Sequence, residues 1–136
     1  MKLFIDTNIV LDLLQYREPW IHDTIVLFQL ATEKKVELIV TDLTIVNVVY
    51  VAGKNFDKKK LYETLLDFKK LVSVVSIGDE CIEQALKSDS TDFEDATQYY
   101  AAKREQVDYI LTRDINGFKT SEIPIMNVTE FLNKYL

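Results

Sequence analysis

The feature that most constrains the fold is a regular alternation of short apolar runs with longer segments of helical periodicity. Each run has four to six residues and is rich in Val, Ile and Leu, which is typical of strands buried on both faces. The runs are residues 2–5, 36–40, 71–76, 109–112 and 123–126. This alternation predicts an α/β fold with an open parallel β-sheet of about four to five strands flanked by helices.

Most of the segments between the runs begin with residues that can cap a helix. Such side chains accept hydrogen bonds from the backbone N–H groups that a helix leaves free at its start. Residues 91–94 and 127–130 also match the capping box, so Glu94 is expected to bond back to its own helix start and to point elsewhere than Asp92 and Asp95. Pro19 is expected to open the second helix. The other predicted caps are Asp6 or Thr7, Asp57 and Asp79.

The segment 43–52 allows two interpretations. Its content of Val and Ile favours a strand. Thr41 and Asp42 ahead of it and Gly53 behind it favour a capped helix. We predict a buried helix here, because a helix preserves the alternation of strand and helix along the chain.

The length of 136 residues predicts a single domain, residues 1–136. The one cysteine, Cys81, cannot form an intrachain disulfide, so nothing indicates an oxidised, secreted scaffold. The first apolar stretch stops at Asp6, which argues against a signal peptide, and no run approaches the length of a membrane span. We therefore expect a cytoplasmic protein without membrane association.

The net charge and the distribution of basic residues lead to different expectations about nucleic-acid binding. The net charge of −6 counts against nucleic-acid binding, because phosphate contacts need cations. The basic residues are nevertheless clustered, and the clusters are consistent either with a basic rim around an acidic centre or with solvated helix faces. They are Lys34 and Lys35, Lys54, Lys58 to Lys60, Lys69 and Lys70, and Lys103 with Arg104.

Acidic residues occur where the predicted strands end. Asp6 ends the first strand and Asp114 follows the fourth, and ligands of open α/β sheets bind beyond the carboxyl ends of the strands. Asp92 and Asp95 open the helix before the fourth strand and share one face. The polar segment 87–91 is long enough to bring that helix start back to the same edge. The structural alternative is that each acid caps a helix or closes a turn.

If these acids meet, they form a candidate metal site. Bare carboxylates that lie close together raise one another's pKa, and a hard divalent cation removes the conflict. Oxygen ligands select Mg²⁺ or Mn²⁺, whereas the lone His22 and the lone Cys81 argue against zinc. Such a cation can activate water and stabilise an in-line displacement at phosphorus. We therefore predict a Mg²⁺ or Mn²⁺ site made by Asp6, Asp95 and Asp114.

Four motifs in order resemble the PIN-domain family, and within it the VapC-like toxin ribonucleases. They are residues 4–8 (Phe-Ile-Asp-Thr-Asn), 41–50, 92–96 (Asp-Phe-Glu-Asp-Ala) and 112–114 (Thr-Arg-Asp) followed by Phe118. The resemblance implies a parallel sheet with an acidic Mg²⁺ or Mn²⁺ site, and cleavage of RNA. It also implies two possible partners, because many members are toxins silenced by an antitoxin and many are homodimers.

The resemblance also implies roles for individual residues. Asp6 and Asp95 become the principal metal ligands and the catalytic acids, and Asp114 becomes the third acid. Further residues would orient the ligands or a water from behind. The resemblance gives this role to Asn8 and Thr112, and we add Asn47 and Asp92 as further candidate supporting residues.

Two positions depart from the family pattern. Asn47 stands where most members have a glutamate, and Gly117 stands where a related pattern has an acid. A polar Asn47 on a nearly apolar helix should be hydrogen-bonded, either at the acidic cluster or as a satisfied core residue. Loss of one negative ligand could weaken metal binding or abolish turnover.

Three functions remain in competition at this stage. The first is the metal-dependent ribonuclease. The second is a haloacid-dehalogenase-like phosphatase with Asp6 as nucleophile, although that family has a second aspartate where Asn8 stands here. The third is a non-catalytic PIN-like module that binds RNA or a partner protein, which Asn47 and the net acidity favour.

Overall fold

The computed structural model describes residues 1–118 and 120–136. In this part of the chain five strands form one sheet in the order β3-β2-β1-β4-β5, and every neighbouring pair is parallel. The predicted α/β class and open parallel sheet are confirmed. The strands are β1 (Lys2–Ile5), β2 (Glu37–Thr41), β3 (Val72–Val75), β4 (Tyr109–Leu111) and β5 (Ile125–Met126).

Seven α-helices accompany the strands in the described residues. The segment that was ambiguous in the sequence is helical, as predicted, and Thr41 caps it by accepting from the Thr44 N–H. A short 3₁₀ helix, Ile115–Phe118, follows β4. The helices are α1 (Thr7–Leu14), α2 (Ile21–Thr32), α3 (Asp42–Ala52), α4 (Lys58–Phe68), α5 (Gly78–Lys87), α6 (Phe93–Arg104) and α7 (Val128–Tyr135). None of them is long and apolar enough to cross a membrane.

The helices cover both faces of the sheet, because alternate side chains of each strand point to opposite sides. Leu3 and Ile5 of the central strand pack into the larger core together with α1, α2, α3, α4 and α7. Phe4, between them, points the other way and packs with Ile39, Ile110 and residues of α6. Burial on both faces fits the apolar sequences of β1 and β4, whereas the edge strand β3 contains Ser73 and is only partly buried, so the expectation of burial on both faces does not hold for it.

Three further predicted caps are confirmed, and three predicted helix starts are wrong. Asp6, Asp57 and the capping box of residues 127–130 cap their helices. Asp79 lies inside the first turn of α5, which has no side-chain cap. The cap of α6 is Asp92, whose carboxylate accepts from the Asp95 N–H at 3.0 Å, so no capping box spans residues 91–94. Pro19 precedes α2, which begins at Ile21.

The predicted fifth strand is shorter than its apolar run. Only Ile125 and Met126 pair with β4, and the Ile110 N–H donates to the Pro124 carbonyl at 3.0 Å. Proline has no N–H to donate to a ladder, so Pro124 contributes only its carbonyl and the paired strand begins at Ile125.

The end of β1 lies directly beside the end of β4. The Asp6 N–H donates to the Leu111 carbonyl at 3.1 Å, which continues the ladder one residue beyond β1. The chain then turns into α1 at Asp6 and into the 3₁₀ segment after Thr112. Two polar segments therefore leave the sheet side by side at its carboxyl edge, as expected for the ligand crevice of an open α/β sheet.

Candidate active site

A cavity of about 350 Å³ opens at this carboxyl edge of the sheet. It lies between the starts of α1 and α6 and one face of α3. The structure brings all three predicted principal acids to its wall, together with three of the four predicted supporting residues. Its lining is Asp6, Thr7, Asn8, Leu11, Asn47, Tyr50, Val51, Asp92, Glu94, Asp95 and Asp114.

Asp6 is fixed in place by two hydrogen bonds. The Thr7 N–H donates to Oδ1 at 2.8 Å and the Thr112 hydroxyl donates to Oδ2 at 2.8 Å. Burial raises the pKa of Asp6, the two hydrogen bonds oppose that rise, and the charge of Asp114 adds to it. The carboxylate is therefore held rigidly in a place where its negative charge is only partly compensated.

Thr112 links two of the acids through one hydroxyl group. Its Oγ1 donates to Asp6 and accepts from the Asp114 N–H at 2.9 Å, and the residue is fully buried. The Asp114 carboxylate in turn accepts from the Gly117 N–H at 3.3 Å. Thr112 does not line the cavity itself. It supports the acids from behind, which is the kind of position predicted for it.

Asp95 carries the most perturbed charge of the site. Its side chain has no hydrogen-bond donor among the described residues, and burial raises its pKa to about 7. The negative charges of Asp92, Asp6, Glu94 and Asp114 contribute to this rise in that order. A carboxyl group with a pKa near neutrality marks a place where burial and neighbouring negative charges together disfavour ionisation.

Glu94 belongs to this cluster, so the expectation that it serves a capping box and points elsewhere is wrong. It lines the cavity and accepts from the Asn47 side-chain amide at 3.1 Å. Burial raises its pKa, and the charge of Asp6 is the next largest cause. Because Asp92 rather than Thr91 caps α6, Glu94 is released from the capping role. Considering Asp92 as well as Thr91 as the cap of α6 would have identified Glu94 as a candidate site residue.

The donor set fits a hard divalent cation. Asp92, Glu94 and Asp95 each present one carboxylate oxygen within 4.8 Å of the others, and Asp6 and Asp114 are close enough to shift the pKa of Asp95. The described lining offers carboxylate, amide and hydroxyl oxygens and contains neither histidine nor cysteine. Oxygen-only donors with excess negative charge suit Mg²⁺ or Mn²⁺ and do not suit zinc.

The sequence model of the PIN domain family matches residues 2–116 of the chain. This chain belongs to the PIN-domain family. The ribonuclease VapC1 of Aquifex aeolicus (strain VF5) is 25% identical over 139 residues, and the match covers 98% of this chain and 95% of the relative. The resemblance drawn from the four motifs is confirmed, and the family match decides against the phosphatase alternative.

Solved structures share this PIN fold at low sequence identity. VapBC2 of Rickettsia felis, bound to a promoter DNA fragment, gives a TM-score of 0.69 at 17% identity, covering 93% of this chain and 98% of the other. DNA-bound VapBC of Salmonella typhimurium gives 0.70 at 15%, covering 94% and 98%. A toxin–antitoxin complex of Klebsiella pneumoniae gives 0.66 at 19%, covering 93% and 97%. The shared PIN architecture therefore extends over nearly the whole chain.

Asn47 lies at the PIN site and not in the core. It is half-buried, lines the cavity and binds Glu94 through its amide N–H. Of the two alternatives left open by the sequence, the position at the acidic cluster is the one that the structure adopts. Where most members have a glutamate on this helix, this PIN domain has a neutral amide that holds a glutamate of α6.

Gly117 leaves room for two of the acids of the PIN site. A Cβ atom built on it would lie 2.2 Å from Asp95 Oδ2 and 3.1 Å from Asp114 Oδ2. Any side chain here would force the Asp95 carboxylate to move. The absence of an acid at this position is therefore matched by the close approach of Asp95, which occupies the space.

A buried polar network beneath the cavity was not predicted from the sequence. The Thr41 hydroxyl donates to Gln98 Oε1 at 2.8 Å, and Gln98 Nε2 donates to the Thr44 hydroxyl at 3.1 Å. Thr44 and Thr7 share a further hydrogen bond of 3.0 Å. The network joins α1, α3 and α6, the three helices that carry most of the PIN site. Gln98 lies one helical turn after Glu94, so the i, i+4 spacing on α6 was the sequence signal that could have identified Gln98.

Of the two interpretations left open for the basic clusters, a rim and solvated helix faces, the rim is not seen in the described lining of the PIN site, which contains no lysine or arginine. Lys34, Lys35 and Lys70 line a separate cavity at the amino ends of β1, β2 and β3, on the opposite edge of the sheet. Lys103 binds Glu122 at 3.2 Å. Lys54 is different, because its Nζ lies 4.9 Å from the ring centroid of Tyr50, which lines the acidic cavity.

Proposed function

We propose that this PIN domain is a Mg²⁺- or Mn²⁺-dependent ribonuclease that hydrolyses RNA phosphodiester bonds in the cytoplasm. The observation that carries the proposal is the convergence of five carboxylates on one cavity, with Asp95 brought to a pKa of about 7. The related ribonuclease VapC1 supports nuclease activity, and the PIN family supports a divalent cation. An acidic cavity that lacks a cation of its own is suited to this chemistry.

Asp6, Asp95 and Asp114 are the proposed ligands of the cation, and Glu94 and Asp92 are close enough to complete the set. Glu94 then supplies the carboxylate that most PIN domains place on α3. When bound, the cation would polarise the phosphodiester and lower the pKa of a water molecule, which is the chemistry that it contributes.

The other residues of the site orient the proposed ligands of the cation. The Thr112 hydroxyl fixes Asp6 and the Asp114 backbone in one arrangement, and the Asn47 amide directs Glu94 into the cavity. Asn8 lines the same wall, from which an amide can bind a phosphate oxygen or a water. Partners of this kind commonly change metal affinity or activity by about 10- to 100-fold when they are removed.

The direct test is cleavage of a single-stranded RNA with Mg²⁺, with Mn²⁺ and with EDTA. We expect cleavage only with metal, and its loss by at least about 100-fold in Asp95→Asn, which keeps the size of the side chain. The matched control is Asp79→Asn at an exposed position of α5, which should cleave as the wild type does. Undiminished cleavage by a folded Asp95→Asn protein, or by the wild type in EDTA, would reject the mechanism.

One observation favours a second candidate, a non-catalytic PIN module that binds RNA or a protein. Asn47 replaces a charged ligand by a neutral amide, which lowers the charge available to hold a cation. This candidate predicts RNA retention without cleavage at saturating Mg²⁺ or Mn²⁺. Conversion of the RNA to shorter products under those conditions excludes it.

For the biological setting we propose the toxin of a toxin–antitoxin pair that forms homodimers. Three solved structures of this fold are complexes of a toxin with its antitoxin, two of them bound to DNA. A toxin should arrest growth when expressed alone, and a small protein encoded next to it should restore growth and co-purify with it. The dimer is tested by light scattering of the purified chain. Growth that is unaffected by expression would count against the toxin role but not against the ribonuclease.

A further inference from the structure

Two exposed tyrosine–lysine pairs of similar geometry occur at different places on the surface. In the first, Lys54 Nζ lies 4.9 Å from the ring centroid of Tyr50, and in the second Lys58 Nζ lies 5.6 Å from that of Tyr62. Both tyrosines are exposed and each lysine is four residues from its tyrosine. The difference is location, because Tyr50 lines the acidic cavity and Tyr62 is not part of its lining.

The Tyr50 ring is presented to solvent beside the acids. It is 72% exposed, so the fold uses little of its apolar surface for packing. It follows Asn47 by three residues on α3, which places both side chains on the same side of the helix. A rigid aromatic ring at a nucleotide-cleaving site offers a flat surface on which an unpaired base can stack.

The charge of the site calls for a cation beside it. Asp6, Glu94, Asp95 and Asp114 would repel an approaching phosphodiester, whose backbone needs cationic contacts. Among the described residues, Arg113 binds Asp12 and Lys103 binds Glu122, while Lys34, Lys35 and Lys70 lie at the opposite edge of the sheet. Lys54 lies next to Tyr50 and is available to bind a phosphate.

We propose that Tyr50 and Lys54 form a binding subsite for single-stranded RNA, with one base stacked on the Tyr50 ring and a neighbouring phosphate bound by Lys54. The proposal rests on the proposed ribonuclease function and names its substrate class. A base inside a duplex keeps its faces covered by its neighbours, so the subsite requires an unpaired nucleotide.

Binding can be measured without cleavage, which separates this proposal from the ribonuclease itself. The probe is a fluorescein-labelled single-stranded RNA of mixed sequence, titrated in EDTA and followed by anisotropy. We expect Tyr50→Ala to weaken binding by roughly tenfold and Tyr50→Phe to restore it, because stacking needs the ring and not the hydroxyl. The matched control, Tyr62→Ala, should bind as the wild type does.

The contribution of Lys54 is tested through the salt dependence of RNA binding. Lys54→Met should weaken binding and reduce the slope of log affinity against log salt by about 0.7, the value for one phosphate contact on a single strand. Lys58→Met is the control and should leave the slope unchanged. The same sequence as a duplex should bind without sensitivity to Tyr50→Ala.

Several results would overturn the subsite. Equal losses in Tyr50→Ala and Tyr62→Ala, or no recovery in Tyr50→Phe, would show that the ring does not stack on RNA. A change of oligomeric state in Tyr50→Ala with unchanged RNA affinity would assign the ring to a protein interface instead. If all variants bind as expected but the wild type never cleaves with metal, the subsite stands and the ribonuclease proposal fails.

Discussion

Helix α1 has a buried acid near each of its ends, and the two acids have opposite surroundings. Asp12 is 1% exposed and faces two guanidinium groups, with Arg113 Nη2 at 3.0 Å and Arg17 Nη1 at 3.9 Å. Asp6 is 6% exposed and faces a cavity in which Glu94, Asp95 and Asp114 are all acids. The protein places two arginines beside one buried acid and surrounds the other with further acids.

The same short segment serves both acids. Arg113 lies between Thr112 and Asp114, which serve the cavity, yet its own side chain turns to Asp12 and stacks 3.7 Å above the Trp20 ring. Its Nε–H is buried and has no partner among the described residues. The guanidinium is thereby withheld from the cavity, although its charge still lowers the pKa of Asp6 as the smallest of the contributions.

This contrast distinguishes Asp12 from the acids of the cavity better than burial does. Burial raises the pKa of both Asp6 and Asp12. At Asp12 the neighbouring arginines offset part of this rise in pKa, whereas at Asp95 every neighbouring charge adds to it. Like-charge clustering therefore marks the site that an external cation should complete.

The largest expected effect comes from making the same substitution in both places. In EDTA near neutral pH, Asp12→Asn should lower the free energy of unfolding by about 2–3 kcal/mol, somewhat below the loss for a fully buried pair because the Arg113 side chain is one-quarter exposed. Asp95→Asn should raise it, since it removes a charge surrounded by like charges. Urea unfolding measures both values. A loss of stability in both variants would contradict the proposed difference between Asp12 and Asp95.

The next effect is the pH dependence of the metal-free protein. Asp95 has a pKa of about 7 in the folded state and an ordinary value of 3.8 when unfolded, so the folded state binds an extra proton between these values. Stability should therefore fall as the pH rises through this window, and Asp6 and Glu94 shift in the same direction. Asp95→Asn should flatten the profile measured in EDTA, and Asp79→Asn should retain it. A profile in Asp95→Asn as steep as that of the wild type would contradict the assignment.

The sequence predicts the sheet well because its determinants are local. Each strand is an apolar run, and the residues that end β1 and β4 are necessarily at the carboxyl edge. The long-range contacts are different. Asp12 and Arg113 are separated by 101 positions, and the hydrogen bond between Thr41 and Gln98 spans 57. Nothing in the local pattern of either partner identifies the other.

The positions of the main acids of the site were predictable from the sequence, but the contacts between the site residues were not. The acids at the ends of β1 and β4 follow from topology, whereas the role of Glu94 depends on a one-residue shift of the α6 cap from Thr91 to Asp92. Both residues cap helices well, so propensity alone does not choose between them. The close approach of Asp95 to Gly117 depends on the path of the 3₁₀ segment, which sequence periodicity does not describe.

An intermediate effect is expected when the family's charge is restored on α3. Asn47→Glu replaces the amide that donates to Glu94 by a carboxylate, so the metal-free protein should be less stable through repulsion. With Mg²⁺ or Mn²⁺ the extra charge should raise metal affinity by roughly tenfold, a change of the size seen when supporting residues of metal sites are altered. The rise in melting temperature on adding metal should therefore exceed that of the wild type.

Asn47→Gln is the control for Asn47→Glu, because it changes the length of the side chain without adding charge. It should show no increase in the metal effect. If Asn47→Glu gains no more from metal than the wild type does, the amide serves Glu94 only as a structural donor, and the position has lost its link to the cation.

The smallest expected effect on stability is the most specific for the cavity. A Cβ at Gly117 would collide with Asp95 Oδ2 at 2.2 Å, and the atom it meets is the far end of a side chain, which can rotate away. Gly117 does not have a positive φ, so alanine is compatible with the backbone. Gly117→Ala should therefore change the free energy of unfolding in EDTA by less than about 1 kcal/mol. Metal affinity, measured by calorimetry, should nevertheless fall, by less than about tenfold, because the displaced Asp95 carboxylate no longer faces the other acids.

Gly53→Ala is the contrasting control, since its Cβ would meet the backbone oxygen of Val49, which cannot rotate away. That variant should lose stability without a specific loss of metal affinity. Unchanged metal affinity in Gly117→Ala would show that the position of the Asp95 carboxylate does not matter to the cation, and would remove Asp95 from the proposed ligands.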